Sequence, residues 1–352
     1  MTHPEADRRY RRLVAQAQAD GRVPALSVAL HRGDRPLWTH RVGGEPDRVY
    51  RIGSVTKTFT AVLVLQCRDD GLLDLDAPIG RYLQLPRFGD ATARRLLSHT
   101  SGLQREPHGD VWDTLRVPDR QRLLAELDRA EQVLRPGRRY HYSNLGFALL
   151  GHLVAELRGG TWAEVLAERV LAPLRLDSVT PQPGERAAVG YLVDAYSDFA
   201  RPEPGTDFDG VAPAAQLWGT AADLARWGAF LADPAAVDPA GAVLAPATLD
   251  EMRWPLTPTD EALWAAGFGL GLILVPAPDE PRVIHVGHDG AMPGFLAGVY
   301  GRRGTGAPPA CGVAVLGASG TAVEVLQLPH ALLRAAVEHD PPEIAAWVPG
   351  EP

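Results

Sequence analysis

The period of the apolar positions changes several times along the chain, and each change marks an element. Leu13, Val14 and Ala17 recur at helical spacing, which predicts an amphipathic helix over 5–19. Residues 25–31 and 36–42 read as two strands joined at Gly33-Asp34, a hairpin turn pair. From Val55 to about Asp69 the spacing of Phe59, Val62, Leu63 and Leu65 turns helical again, and Gly71 stops it. Residues 72–210 read mainly as helix and loop. Helices are expected over 119–132, over 145–157 (closed by Gly159-Gly160) and over 161–172. The segment 182–215, rich in Pro, Gly and Asp, predicts a long excursion over the surface. Thr220 caps a helix over 221–231. Strand patterns return at 268–275, 282–286, 295–300 and 311–316, followed by a last helix over 321–337.

Strands near both ends with helices between them predict an α+β fold. One antiparallel sheet is built from both chain termini, flanked by helices, with a mainly helical lobe beside it. The expected organisation is a single catalytic domain over 1–350. Its α/β lobe comprises about 1–60 and 212–340, and its helical lobe about 61–211. No G-x-G-x-x-G follows a strand, so dinucleotide binding has little support.

Composition narrows the classes. With 352 residues, 45% hydrophobic and 22% charged, the chain is globular, not disordered or fibrous. Its net charge of -8 argues against a nucleic-acid binder. No apolar run approaches the roughly 20 residues that span a bilayer. The first residues form a charged amphipathic stretch without the apolar region of an export signal, so the expected location is cytoplasmic. Cys67 and Cys311 lie far apart in apolar stretches and are expected as buried, reduced thiols.

The chain carries 34 arginines and one lysine, Lys57. A guanidinium stays charged, whereas a buried ammonium can lose its proton, so a lone lysine in an arginine-rich chain draws attention to its neighbours. Ser54 lies three residues before it. Positions i and i+3 share a helix face, and the helix N-terminus adds free N–H groups that favour a developing oxyanion. With eight serines in 352 residues, chance puts one at that spacing about 2% of the time, and the bland reading is a capping serine beside a solvated lysine.

Two further motifs bear on the same chemistry. Tyr142-Ser143-Asn144 precedes a helix and can aim a phenol and an amide at one cleft. A phenol acts as base at neutral pH only beside a cation, which Lys57 could supply. Read alone, Tyr142 is a half-buried aromatic and Asn144 a helix cap. His285-Val286-Gly287-His288-Asp289-Gly290-Ala291 is expected after the strand 282–286, with glycines that let a ligand approach the backbone. A metal reading fails for want of a third ligand cluster at zinc spacing, and no cofactor is implied.

These motifs, in this order, resemble the serine β-lactamase and penicillin-binding-protein superfamily. The resemblance is to its class C-like branch, which also holds family VIII carboxylesterases, D-aminopeptidases and related acyltransferases. It covers about 8–338 and includes Tyr50–Ala61, Leu96–Leu103, Pro136–Gly151, Thr220–Ala225 and Gly287–Phe295. It implies that Ser54 is the acylated nucleophile, Lys57 its partner and Tyr142 the base and leaving-group proton shuttle. By the same resemblance Asn144 orients substrate and Lys57, and His288-Asp289-Gly290 stands for K-T-G. Backbone N–H groups of Ser54 and Ala291 would then form the oxyanion hole. His285-Val286-Gly287 also spells H-x-G, but the spacing to Pro293-Gly294-Phe295 favours His288. The chain departs from the pattern in having no K-T-G, which weakens recognition of a substrate carboxylate unless His288 is protonated. It has no S-D-N, and Ala214-Ala215-Gln216 replaces a frequent double glycine.

The resulting expectation is a serine hydrolase acting on a small-molecule ester or amide. An acyltransferase with the same residues, or a silent ligand-binding module, is the alternative. Whether Lys57 or Tyr142 is the base stays open. Trp112, Tyr191, Trp218 and Phe295 are candidates for lining an apolar cleft.

Overall fold

The computed structural model describes residues 3–33, 37–193, 199–260, 262–277, 280, 282–304 and 311–338. The turn position Asp34 and the end of the expected domain beyond 338 lie outside them. In chain order the strands are β1 (Leu26–Arg32), β2 (Trp38–Val42), β3 (Tyr50–Arg51), β4 (Tyr191–Val193), β5 (Ala200–Pro202) and β6 (Trp218–Gly219). They continue with β7 (Thr257–Pro258), β8 (Gly267–Phe268), β9 (Ile273–Pro276), β10 (Val283–Met292), β11 (Phe295–Gly304) and β12 (Cys311–Gly317). Eight of them form one antiparallel sheet in the order β2-β1-β12-β11-β10-β9-β8-β7. β1 pairs with β12 from Leu26↔Gly317 to Arg32↔Cys311, so the sheet is built from both ends of the chain.

Period-two alternation divides the sheet between two cores. Val28 and Leu30 of β1 and Val313 and Val315 of β12 pack under the helices Pro4–Asp20 and Glu324–Glu338, with Tyr10, Val14, Leu328 and Leu332. Ala29, Ala314 and Leu316 face the other way, into a larger cluster containing the helices Thr56–Asp69, Asn144–Arg158 and Ala221–Ala232. Because both faces are covered, β12 is buried throughout and reads as one apolar run. Residues Thr56 through Cys67 are all buried, the mark of a helix enclosed on every side. Two of its threonines meet indole donors: Thr58 Oγ1 accepts from Trp227 Nε1 at 2.8 Å and Thr60 Oγ1 from Trp162 Nε1 at 3.1 Å.

Several sequence expectations change in detail. The helix over 119–132 is α-helical only from Arg120 to Ala125, then a 3-10 turn over Glu126–Arg129. Arg87 holds the Asp128 and Ala130 carbonyls from outside, which diverts the chain from helix. The helix over 161–172 contains a π segment at Ala167–Leu171. The strand over 268–275 is two strands, because Gly269–Leu272 makes a turn with Gly271 at φ 78°. The segment 182–215 does not merely run over the surface. It forms the β4–β5 hairpin and then buries Phe208, Val211, Ala214 and Ala215 in the larger core. Finally, β10 extends to Met292, so the His288-Asp289-Gly290 motif lies inside a strand instead of after one.

Both cysteines are free and buried. Among the described residues no helix is long and apolar enough to cross a membrane.

Candidate active site

Ser54 sits in a 3-10 turn, Gly53–Val55, that runs directly into the helix Thr56–Asp69. One helical turn later Lys57 is fully buried, and its Nζ has three oxygen neighbours. They are Ser54 Oγ at 3.0 Å, Asn144 Oδ1 at 2.7 Å and the Ala214 carbonyl at 2.8 Å. Burial drives the Lys57 amine well below its ordinary pKa; Glu106 opposes this shift and Arg105 adds to it. An amide oxygen and a carbonyl can only accept hydrogen bonds. A neutral Lys57 therefore spends its two N–H bonds on Asn144 and Ala214, and its lone pair is left for the one partner able to donate, Ser54. The Ala214-Ala215-Gln216 segment supplies one of those acceptors, and the Gln216 amide ties it to Phe208 N and the Pro181 carbonyl.

Tyr142 brings its ring to 4.9 Å from Lys57 Nζ, and its hydroxyl hydrogen-bonds Ser54. Burial raises the phenol above its ordinary value, which the Ser54 contact only partly offsets, so the neutral form dominates. Of the two bases left open by the sequence, the environment favours Lys57. His99 packs beneath Tyr142 with ring centroids 4.3 Å apart, and its Nδ1 accepts from Ser143 N at 3.0 Å. Buried against Lys57 and His288, the His99 imidazole is held well below its ordinary pKa, first by desolvation.

The helix Asn144–Arg158 starts from Ser143, whose hydroxyl accepts from Gly146 N at 2.9 Å and donates to the Gln104 carbonyl at 2.7 Å. That cap ties the Asn144 side chain to the loop 104–106. Asn144 Nδ2 donates to Glu106 Oε1 at 2.7 Å. Glu106 was not anticipated from the sequence. Arg105-Glu106 reads as an ordinary exposed charge pair, and only the fold reveals that its carboxylate turns inward, with the side chain 18% exposed.

On β10 residues alternate faces. Val286, His288 and Gly290 point to the larger core and the Ser54 turn, whereas His285 and Asp289 point to the C-terminal helix. His285 stacks on His330, with their Nδ1 atoms 2.8 Å apart. His288 instead lies 6.2 Å, ring to ring, from Tyr142. The structure thus brings together Ser54, Lys57, Tyr142, Asn144 and His288 and leaves His285 out. His288 is not a cation: burial and then Lys57 push it down to about 3. Its Nδ1–H donates to its neighbour's carbonyl, Asp289 O, at 2.5 Å, so in the neutral ring Nε2 is a bare acceptor. Burial thus disfavours a protonated His288 as a substitute for the K-T-G lysine.

Gly290 lies so close to the Ser54 turn that a Cβ there would be 1.9 Å from the Ile52 carbonyl and 3.4 Å from Ser54 N. From the other side, Gly53 at φ 51° would place its Cβ 3.1 Å from Ala291 N. The two glycines let the Ser54 and Ala291 backbones converge, the arrangement an oxyanion hole requires. Trp218 and Phe295 border a separate cavity, whereas Trp112, 39% exposed, packs on Phe208.

An antiparallel sheet with helices on both faces, and a Ser-x-x-Lys turn meeting a tyrosine and a sheet strand, define the serine β-lactamase and transpeptidase fold. The family model for beta-lactamase matches residues 10–328, and the chain belongs to that family. Penicillin-binding protein 4 of Amycolatopsis lactamdurans is 33% identical over 78% of this chain and 73% of its own length. Putative beta-lactamase-like 1 of Homo sapiens is 30% identical over 64% of this chain, which spans half of that protein. Among solved structures, D-amino acid amidase from Ochrobactrum anthropi SV3 superposes with a TM-score of 0.76 at 22% identity, covering 94% of this chain and 98% of the amidase.

Proposed function

We propose that the protein is a serine acyl hydrolase that forms an acyl-enzyme at Ser54 from a small ester or amide. The observation that carries the reading is the triple environment of Lys57 Nζ, in which two obligate acceptors leave the amine lone pair to the Ser54 hydroxyl. Ser54 Oγ gives its proton to neutral Lys57 as it attacks the carbonyl, and the N–H groups of Ser54 and Ala291 receive the oxyanion. The proton then passes by way of the Tyr142 hydroxyl to the leaving group, and water releases the acid. The amidase and penicillin-binding relatives support carbonyl substrates of this kind.

The reading predicts turnover of short-chain p-nitrophenyl esters. It predicts slow or stalled turnover of β-lactams, because His288 supplies no charge for their carboxylate. The experiment is intact-protein mass spectrometry after incubation with esters, β-lactams and D-amino-acid amides. A mass increment on the wild type that is absent from Ser54→Ala is expected. No adduct and no product with any of the three classes, or an adduct that persists in Ser54→Ala, overturns the proposal.

A further inference from the structure

A second cavity, of about 500 Å³, lies beside the catalytic centre, and none of Ser54, Lys57, Tyr142, Asn144 and His288 lines it. Its base is Arg51, placed there by the β3–β6 pairing of Arg51 with Trp218. Arg51 is only 4% exposed, and its guanidinium lies 4.6 Å from the Trp218 ring and 5.4 Å from the Phe208 ring. Nη2 donates to the Thr206 carbonyl at 2.9 Å. Nε and Nη1 are buried without a hydrogen-bond partner, and so is Trp218 Nε1. Glu203 borders the same cavity. Its carboxylate takes the Gly294 N–H, and its Oε1 is buried without a partner.

Four unmatched polar atoms around one cavity form a pattern. Three are donors, two of them on a cation, and the fourth is an anionic acceptor. Arg51 and Glu203 both line the cavity and attract each other, yet no ion pair joins them among the described residues, so neither charge is neutralised by contact with the other. Buried donors and buried charges persist in folded proteins when something completes them. A carboxylate matches the donors of Arg51 and Trp218, and an ammonium matches Glu203. Phe295, Pro181 and Pro183 add apolar wall, and the volume falls in the range of small-molecule sites.

We propose that the Arg51 cavity binds a small amino-acid-like zwitterion, its carboxylate on Arg51 and Trp218 and its ammonium on Glu203. The site stands independently of the reaction at Ser54.

The test uses calorimetry on the full chain carrying Ser54→Ala, so that no turnover intervenes. The probes are norleucine of either hand, hexanoate, which lacks the amine, and pentylamine, which lacks the carboxylate. Norleucine of at least one hand should bind about tenfold tighter than hexanoate, and pentylamine weakest. Glu203→Gln should erase the advantage of norleucine while leaving hexanoate unchanged. Arg51→Gln, if it retains the wild-type melting profile, should weaken both carboxylates about tenfold; the Glu203 arm stands alone if it does not. Absence of norleucine binding, meaning a cavity filled by water alone, overturns the proposal. So does binding indifferent to Glu203→Gln, which places the ligand elsewhere.

Discussion

Asn144 Nδ2 donates to Glu106 Oε1 at 2.7 Å while its Oδ1 accepts from Lys57 Nζ at the same distance. Glu106 therefore fixes which end of the amide faces the lysine. Were the amide reversed, Lys57 would meet an NH₂ group and lose an acceptor. Its lone pair would then no longer be reserved for Ser54.

Glu106→Gln keeps an oxygen in place but removes the charge that favours the Lys57 ammonium. The amine should then lose its proton more readily, and the acid limb of kcat/KM should move to lower pH. Glu106→Leu removes the same charge and the hydrogen bond to Asn144 as well, so its acid limb should move likewise while its plateau rate of acylation falls about tenfold, the worth of one hydrogen bond. Rate profiles of the two variants against pH check both signs.

Lys57→Arg should lower acylation of Ser54 by about 10²–10⁴-fold, because a guanidinium does not accept a proton. Stopped-flow acylation with a p-nitrophenyl ester, beside a melting curve showing a folded variant, measures it.

His288→Ala should impair turnover more than His285→Ala, since only His288 lies on the Tyr142 side of β10. His285→Ala should show its effect in melting temperature, through loss of the stacked His330 contact. Parallel kinetics and melts on the pair decide the ranking.

Gly290→Ala should abolish detectable acylation while the rest of the sheet still forms. A methyl group 1.9 Å from the Ile52 carbonyl forces β10 away from the Ser54 turn. The readouts are a fluorophosphonate label on Ser54, expected to be lost, and far-ultraviolet circular dichroism, expected to be kept.

Stability should fall steeply in acid. His152 and His330 are held near pKa 4, His285 and His288 near 3, and His99 well below its ordinary value, in each case chiefly by burial. Their folded values lie below the unfolded value near 6.5, so the unfolded chain takes up protons first. The stability is complete above about pH 6.5 and drains as pH falls toward 4, at up to about 1.4 kcal/mol per pH unit for each group. Asp289, raised to about 6 by burial, works in the opposite direction, as do Glu203 and Asp209, but the lowered histidines, which also include His31 and His40, outnumber them. Urea midpoints between pH 8 and pH 5 test the slope.

The long helices and the sheet strands are legible because each buries a stripe or a run, and burial writes its period into the chain. Thr56–Asp69 and Asn144–Arg158 fall within a residue or two of their expected bounds. Ser54 and Lys57 are legible for the same reason, since one helical turn fixes their approach. Features held by distant contacts were not. Glu106 turns inward only because the Ser143 cap binds the Gln104 carbonyl. His288 is neutral only because the whole sheet and Lys57 surround it. The 3-10 turn after Ala125 depends on Arg87, some forty residues upstream.

The pairing of β1 with β12 sets an order of events during synthesis. The Ser54 turn and its helix leave the ribosome more than two hundred residues before Gly290, whose close approach completes the site. β1 waits still longer for the strand that covers its second edge. The helices between them make shorter-range contacts and can assemble meanwhile. A nascent chain stopped before β10 would thus carry serine and lysine side by side with no oxyanion hole opposite them. The convergence of the Ser54 and Ala291 backbones is thus among the last features of the fold to form.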